Sequence, residues 1–384
     1  MEPLAVFETS GFIDAHSHLR ASSLSSQGIG QCENLEEALV RFSAMTVVEP
    51  YDEALVACSE LILGGVTGVQ FMFHVFGDRE RYQSQLEEVL RGVSDSGIRA
   101  LAILGVTDEA EYLPTSFSGQ SPLPQWTEPA RGHSGAELGE IYRWAKVRYP
   151  GLEFGIGPVG PQWCSDGLME ELGELAQEGM RIHSHLLESP RQRHWGRENP
   201  LERLDRFGLL GPKTSLAHCV WCNDRELKTM AEKGAQPVTC PGSNRILGAG
   251  TANLEAWKQS GVELGFGLDS SAEEIKPFEI AQLAMDIGDA LTALTSGGQA
   301  CTDLGTHRDT VKWADGELTS PLQVWINDEE LVSDGRLKDS ERYQAAKGRV
   351  LQALSQDRAN REGRIAEVDR AMPNYQRALD SCLG

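Results

Sequence analysis

The sequence of 384 residues has no apolar run approaching the length of a bilayer span, and it is short of positive charge: 35 Lys and Arg face 57 Asp and Glu, a formal net charge of -22. The first absence argues against a transmembrane helix. The second argues against nucleic acid as a partner, because binding a phosphate backbone takes clustered cations that displace counterions. It fits a neutral or cationic small substrate better. Met1-Glu2-Pro3 lacks the basic region of a signal peptide, so a cytoplasmic protein is expected. No Gly-rich phosphate loop opens a helix, and there is no internal repeat beyond a strand-helix rhythm and no low-complexity segment. Clustered cysteine is missing as well. The eight cysteines are scattered, which points to reduced thiols rather than a disulfide framework. Only Cys219 and Cys222 are close, as a redox pair or as small buried hydrophobes near a strand end. A content of 40% hydrophobic and 24% charged residues describes a globular chain long enough for a large α/β core.

What is present is a rhythm. A helical pattern from Tyr51 to Leu63 stops at Gly64-Gly65 and leads into the apolar run Val66 to Phe73. The unit recurs with buried strands at Ile98 to Leu104, Leu152 to Ile156, Met180 to His185, Thr214 to His218, Ala235 to Cys240 and Val262 to Gly267. Counted from Phe12, these are eight short strands alternating with helices, which predicts a parallel sheet closed into a (β/α)8 TIM barrel. An open doubly wound sheet is the second choice. Beyond Asp269 the pattern changes to a helix over Ala281 to Leu294, a strand over Leu322 to Ile326, a strand or turn over Glu329 to Leu337, and a charged helical stretch from Ser340 to Leu383. That tail is expected to pack on the barrel or on a neighbouring subunit.

Reactive residues of such barrels sit at the carboxyl ends of strands. That rule puts His16 and His18 at the first strand end, His183 and His185 at the fifth, His218 at the sixth and Asp269 at the eighth. Five of the nine histidines therefore collect at these ends. His16 and His18, two apart in a strand, share a face. With one histidine of the fifth strand and Asp269 they could cage a divalent metal while leaving a position for water. Glu188, three residues past His185, could move protons between water and a substrate nitrogen, or simply be a surface carboxylate opening the next helix. His218 could orient the water or stabilise an oxyanion.

With these residues in place, the chain resembles the metal-dependent amidohydrolase superfamily, in its branch of cytosine, guanine, adenosine-analogue and pterin deaminases and triazine chlorohydrolases. The matching segments are Gly11 to His18, His183 to Glu188, Leu216 to Cys219, Cys240 to Asn244 and Gly265 to Ser270, in the family's order, with similarity over roughly 8 to 304. The resemblance implies His16, His18, His185 and Asp269 as ligands of one metal per chain, zinc first, with iron or manganese as alternatives. It implies Glu188 as the proton shuttle, His218 on the attacking water or the leaving group, and Asp269 as a second acceptor of the water's proton. His183 would then be a packed neighbour. The fourth strand runs into Gly157-Pro158-Val159 with no lysine or glutamate, so a mononuclear site is expected.

The implied function is deamination of a small nitrogen heterocycle. Hydrolytic dechlorination, amide hydrolysis on the same site and an inactive binding barrel are the alternatives, and a Cys219–Cys222 redox activity is a further one. Arg20, Gln70, His74, Gln162 and Trp163 follow barrel strands and are candidates for substrate contact, although Gln162 and Trp163 could equally cap the barrel. Relatives place a β-sandwich before the first histidine pair, and here His16 comes at once. The expected organisation is a barrel over 8–310, a remnant of the accessory sandwich over 311–338 and a helical tail over 339–384. A sheet edge left bare by a reduced sandwich also suggests a homo-oligomer.

Overall fold

A computed structural model describes residues 7–74, 79–114, 116–127, 134–196, 198–269, 275–314 and 316–383. Its strands are β1 (Phe7–Thr9), β2 (Phe12–Ser17), β3 (Val66–Phe73), β4 (Arg99–Val106), β5 (Glu153–Pro158), β6 (Arg181–Leu186), β7 (Thr214–His218), β8 (Gln236–Thr239) and β9 (Gly265–Phe266). They continue with β10 (Thr310–Trp313), β11 (Pro321–Ile326), β12 (Glu329–Ser333) and β13 (Arg336–Leu337). β2 to β9 form one parallel sheet in sequence order, each step crossing through at least one helix. Ser17 bridges to Asp269 in parallel, and the Asp269 amide donates to the His16 carbonyl at 2.8 Å, which closes the sheet into a (β/α)8 barrel. Closure matters chemically, because it sets the first histidine pair against the last carboxylate.

The strands are continuous apolar runs because helices cover their outer faces; β3 is buried at every position. Three of the helices between these strands are stopped by glycine, at Gly64, Gly234 and Gly261. The helix Pro50–Leu63 has Pro50 at its first position and ends at Gly64-Gly65, where Gly65 takes φ 83°. Only glycine fits there, since a Cβ would stand 2.3 Å from the Trp313 ring.

β1 and β10 to β13 make a separate antiparallel sheet. Residues 8–310 are therefore not all barrel: the strands at both limits of that span, Phe7–Thr9 and Thr310–Trp313, pair with each other in the second sheet. Trp313, fully buried, joins the two sheets by packing on Phe12 at 5.2 Å between ring centroids and donating to Thr9 Oγ1 at 2.9 Å.

The tail is two helices, Ser340–Gln356 and Arg358–Leu383, held on this chain rather than left as a solvated appendage. Arg349 pairs with Asp52, Arg361 donates to Thr46 Oγ1 at 2.6 Å, and Tyr375 donates to the Tyr112 carbonyl at 2.7 Å. The last helix thus ties down two segments, around 46 and 112, that flank the barrel mouth.

Candidate active site

At the carboxyl end of the barrel, His16, His18 and His185 bring one ligand atom each within 4.8 Å of one another, and Glu188, His218 and Asp269 do the same beside them. The proton positions follow from the hydrogen-bond network. His185 Nδ1 donates to the Val159 carbonyl at 2.7 Å and His18 Nδ1 to that of Met72 at 3.3 Å. A ring nitrogen facing a carbonyl must carry the proton, so each Nε2 is left as a bare lone pair. Those two Nε2 atoms stand 3.2 Å apart. Neither can donate to the other, and the contact is favourable only with a cation between or beside them. His16 Nε2 is buried with no partner among the described residues and lies 3.9 Å from Asp269 Oδ1. The donor set of three imidazole nitrogens and a carboxylate suits zinc, and iron or manganese as well.

Burial pushes the imidazoles away from protonation. His18 and His185 are lowered to about 3, chiefly by desolvation, and His16 well below its usual value for the same reason. They are neutral at physiological pH, as metal ligation requires. Burial opposes the charge of Asp269, but the facing His18 and His218 rings and the Ser243 hydroxyl outweigh it and hold this carboxyl below the usual carboxylate range.

The backbone is strained where the site is built. Leu19, Leu187, His218 and Asp269 take φ of 51°, 46°, 69° and 60°, each at a strand end or in the few residues that follow one. Such conformations persist only where the surrounding fold enforces them. Asp14 helps to do so, its Oδ1 accepting from the amides of His16 and Leu268.

Glu188 is buried, its Oε1 has no hydrogen-bond partner among the described residues, and it lies 3.5 Å from His218 Nδ1. Desolvation, partly offset by His218, raises its carboxyl to about 7. A group that holds or releases a proton with equal ease near neutrality is suited to moving one. His218 Nδ1 also donates to Asn244 Oδ1 at 2.9 Å, which leaves its Nε2 toward Asp269 Oδ2 at 3.9 Å.

His18, His185, Glu188, His218 and Asp269 line a cavity at the barrel mouth. Leu24, Leu35, Leu39, Phe42, Met45, Val159 and Leu247 make its apolar wall, and Glu111 and Trp163 line it as well. Of the expected substrate contacts, Arg20, His74 and Trp163 reach the cavity; Gln70 and Gln162 do not. Gln70 lies within β3, not after it, and is spent inside the barrel, donating to the Ala15 carbonyl at 2.6 Å and Ser215 Oγ at 3.1 Å. Gln162 is buried in the turn Pro161–Trp163. Arg20 stands at the rim against Glu53 at 3.5 Å. Sequence reasoning missed the apolar wall and Glu111. The wall could have been sought in the amphipathic pattern of residues 35 to 42, whereas nothing local marks Glu111. Cys219 is buried and its thiol is pushed well up by burial, the opposite of a reactive cysteine. Ser270 lies outside the described residues.

β5 explains the lack of a fourth-strand ligand. A Cβ at Gly157 would meet the His183 carbonyl oxygen at 1.8 Å, so a metal-binding side chain has no room there.

Imidazoles and a carboxylate converging at the carboxyl ends of barrel strands, with a protonatable glutamate beside them, are the equipment of a metal-assisted hydrolase. Residues 9–307 match the amidohydrolase family, and the chain belongs to it. Among similar proteins, a 5'-deoxyadenosine deaminase of Methanosarcina mazei is 28% identical over 272 residues, covering 68% of this chain and 57% of the relative. A 5-methylthioadenosine/S-adenosylhomocysteine deaminase of Symbiobacterium thermophilum is 27% identical over 240 residues, covering 60% and 48%. The chain thus spans about half the length of such relatives. Among solved structures, a triazine hydrolase variant superposes with a TM-score of 0.75 at 18% identity, covering 91% of this chain and 88% of the other. A zinc-bound adenosine deaminase of Xanthomonas campestris gives 0.70 at 20%, covering 91% and 86%. These superpositions show a shared fold.

Proposed function

We propose that the protein is a metal-dependent aminohydrolase that replaces the amino group of a small nitrogen heterocycle with oxygen, consuming water and releasing ammonia. The observation that carries this reading is the pair of bare Nε2 atoms of His18 and His185 at 3.2 Å, with the unpartnered Glu188 carboxyl beside them. His16, His18, His185 and Asp269 would hold one divalent cation, zinc first, with iron or manganese as alternatives. When bound, such a cation supplies Lewis acidity and brings the pKa of water toward neutrality. Glu188 would take one proton from the attacking water and deliver it to the ring nitrogen beside the reacting carbon. Asp269 would accept the second and pass it to the amino group, which leaves as ammonia while the carbonyl forms, and His218 would orient the water through Nε2. The curated relatives are named as deaminases of adenosine derivatives, which supports an aminated heterocycle as substrate.

Glu188→Gln tests the mechanism: metal content stays as in wild type while turnover drops by a factor on the order of 100 to 10,000. Full activity in that variant would refute it. Ammonia release across adenosine derivatives, purines, pyrimidines, pterins and guanidino compounds identifies the substrate, and chloride release from chlorotriazines instead would favour the dechlorinase. We place the enzyme in the cytoplasm as a homo-oligomer; a monodisperse monomer in solution scattering would contradict the assembly.

A further inference from the structure

Glu111 lines the cavity from the loop after β4, not from the metal-binding cluster. It is 6% exposed, and its Oε1 has no hydrogen-bond partner among the described residues. The Trp163 indole lines the same cavity at 4% exposure, and its Nε1 is likewise unpartnered. Burying polar groups without partners costs free energy, so two of them in residues that line one cavity call for an explanation. The loop that carries Glu111 is firmly held. Thr107 Oγ1 donates to the Trp163 carbonyl at 2.5 Å, the Glu109 amide donates to that carbonyl at 3.0 Å, and Trp195 Nε1 donates to the Ala110 carbonyl at 3.4 Å. Tyr375 secures Tyr112 from the last helix. The backbone on both sides of Glu111 is thus fixed while its Oε1 is left unsatisfied, which is how a recognition group awaiting its ligand is arranged.

We propose that Glu111, with the Trp163 indole N–H of the same cavity, reads the substrate edge remote from the reacting carbon, and that this edge is a cyclic amidine: a ring nitrogen next to a second amino group, as in 2-amino heterocycles. The inference rests on the heterocycle reading above. A neutral carboxyl offers one O–H donor and one C=O acceptor side by side, the complement of a ring nitrogen and its neighbouring N–H. A carboxylate, by contrast, offers only acceptors and would suit a diol or a cation. Burial favours the neutral form, raising Glu111 to about 8. The ionisable groups near it include Asp108 and Glu109 on its own loop, Tyr112 and Cys164, both pushed up by burial, and Arg20, His74 and Glu188 along the cavity. Trp163 would donate to a further ring nitrogen or carbonyl of the same ligand.

The test is calorimetric binding of 2-aminopyrimidine and of pyrimidine to the metal-loaded protein. Glu111→Gln keeps one donor and one acceptor, so it should bind 2-aminopyrimidine as wild type does. Glu111→Leu should bind it roughly tenfold more weakly, while pyrimidine binding stays unchanged. Wild-type affinity for 2-aminopyrimidine should decline as pH rises through about 8, and that of Glu111→Gln should not. Glu111→Leu should melt no lower than wild type, because it removes an unpartnered buried carboxyl. Equal 2-aminopyrimidine binding by wild type and Glu111→Leu overturns the proposal. Equal damage from Gln and Leu also does, because it means that a carboxylate does the reading. If wild type binds 2-aminopyrimidine in this pattern but releases ammonia from no heterocycle, the deaminase reading fails while the recognition role stands.

Discussion

His16-Ser17-His18 and His183-Ser184-His185 are the same tripeptide on opposite sides of one barrel, and the two meet tier upon tier. In the upper tier His18 and His185 stack, with centroids 5.2 Å apart and planes within 4°. In the lower tier His16 Nδ1 stands 2.8 Å from His183 Nε2. The upper pair is symmetrical: each ring gives its Nδ1 proton to a backbone carbonyl and keeps Nε2 for the centre. The lower pair is not. With Nε2 of His16 turned to the cluster, His16 donates from Nδ1 to His183 Nε2, and His183 donates from Nδ1 to Ser215 Oγ at 2.8 Å. His183 therefore has both nitrogens engaged and none for a metal. Identical sequence gives different roles because the partner of the second nitrogen decides which lone pair is free.

The largest way to break this comparison is in the upper tier. His18→Ala or His185→Ala should remove the metal and with it all measurable turnover, seen by elemental analysis and ammonia release. The next largest is Glu188→Gln, described above, which separates proton movement from metal binding. In the lower tier, His183→Gln should keep the metal but weaken its binding by roughly 10- to 100-fold, measured by competition with a chelator, because only the orientation of His16 is lost. A smaller effect belongs to the outer support: Tyr375→Phe should cost about 1 kcal/mol in denaturant unfolding by freeing the Tyr112 carbonyl. Last comes a pH effect on the metal-free protein. Glu111 is raised in the folded state, so the fold holds a proton that the unfolded chain releases. Its contribution is complete below the ordinary glutamate value of 4.5 and is lost as pH rises to about 8. Glu111→Gln should flatten that decline in urea midpoints.

The barrel was readable because helices stopped by glycine and followed by apolar runs, as at Gly64-Gly65 before Val66, leave few other arrangements. The cluster was readable because parallel strands present their carboxyl ends on one side, so histidines at the ends of β2, β6 and β7 must meet. Depth was not readable. Gln70 was expected at the mouth, although the run Val66 to Phe73 already contains it; within β3 its side chain is tied to Ala15 and Ser215 below the site. Nor were the roles of distant segments, since the pairing of Phe7–Thr9 with Thr310–Trp313 and the grip of Tyr375 on Tyr112 join residues about 300 and 263 positions apart. Glu111 escaped for a related reason: its environment is set by Trp163, Trp195 and the last helix, none of which is near it in sequence.

The central claim is that His18 and His185 hold the metal together with His16 and Asp269, whereas His183 only orients His16. Metal content per chain, measured after identical loading and dialysis of wild type, His18→Ala and His183→Gln, tests this most directly. The account predicts about one zinc, iron or manganese in wild type, none in His18→Ala, and about one in His183→Gln, dissociating faster. Loss of metal from His183→Gln equal to that from His18→Ala, or full retention in His18→Ala, would contradict it.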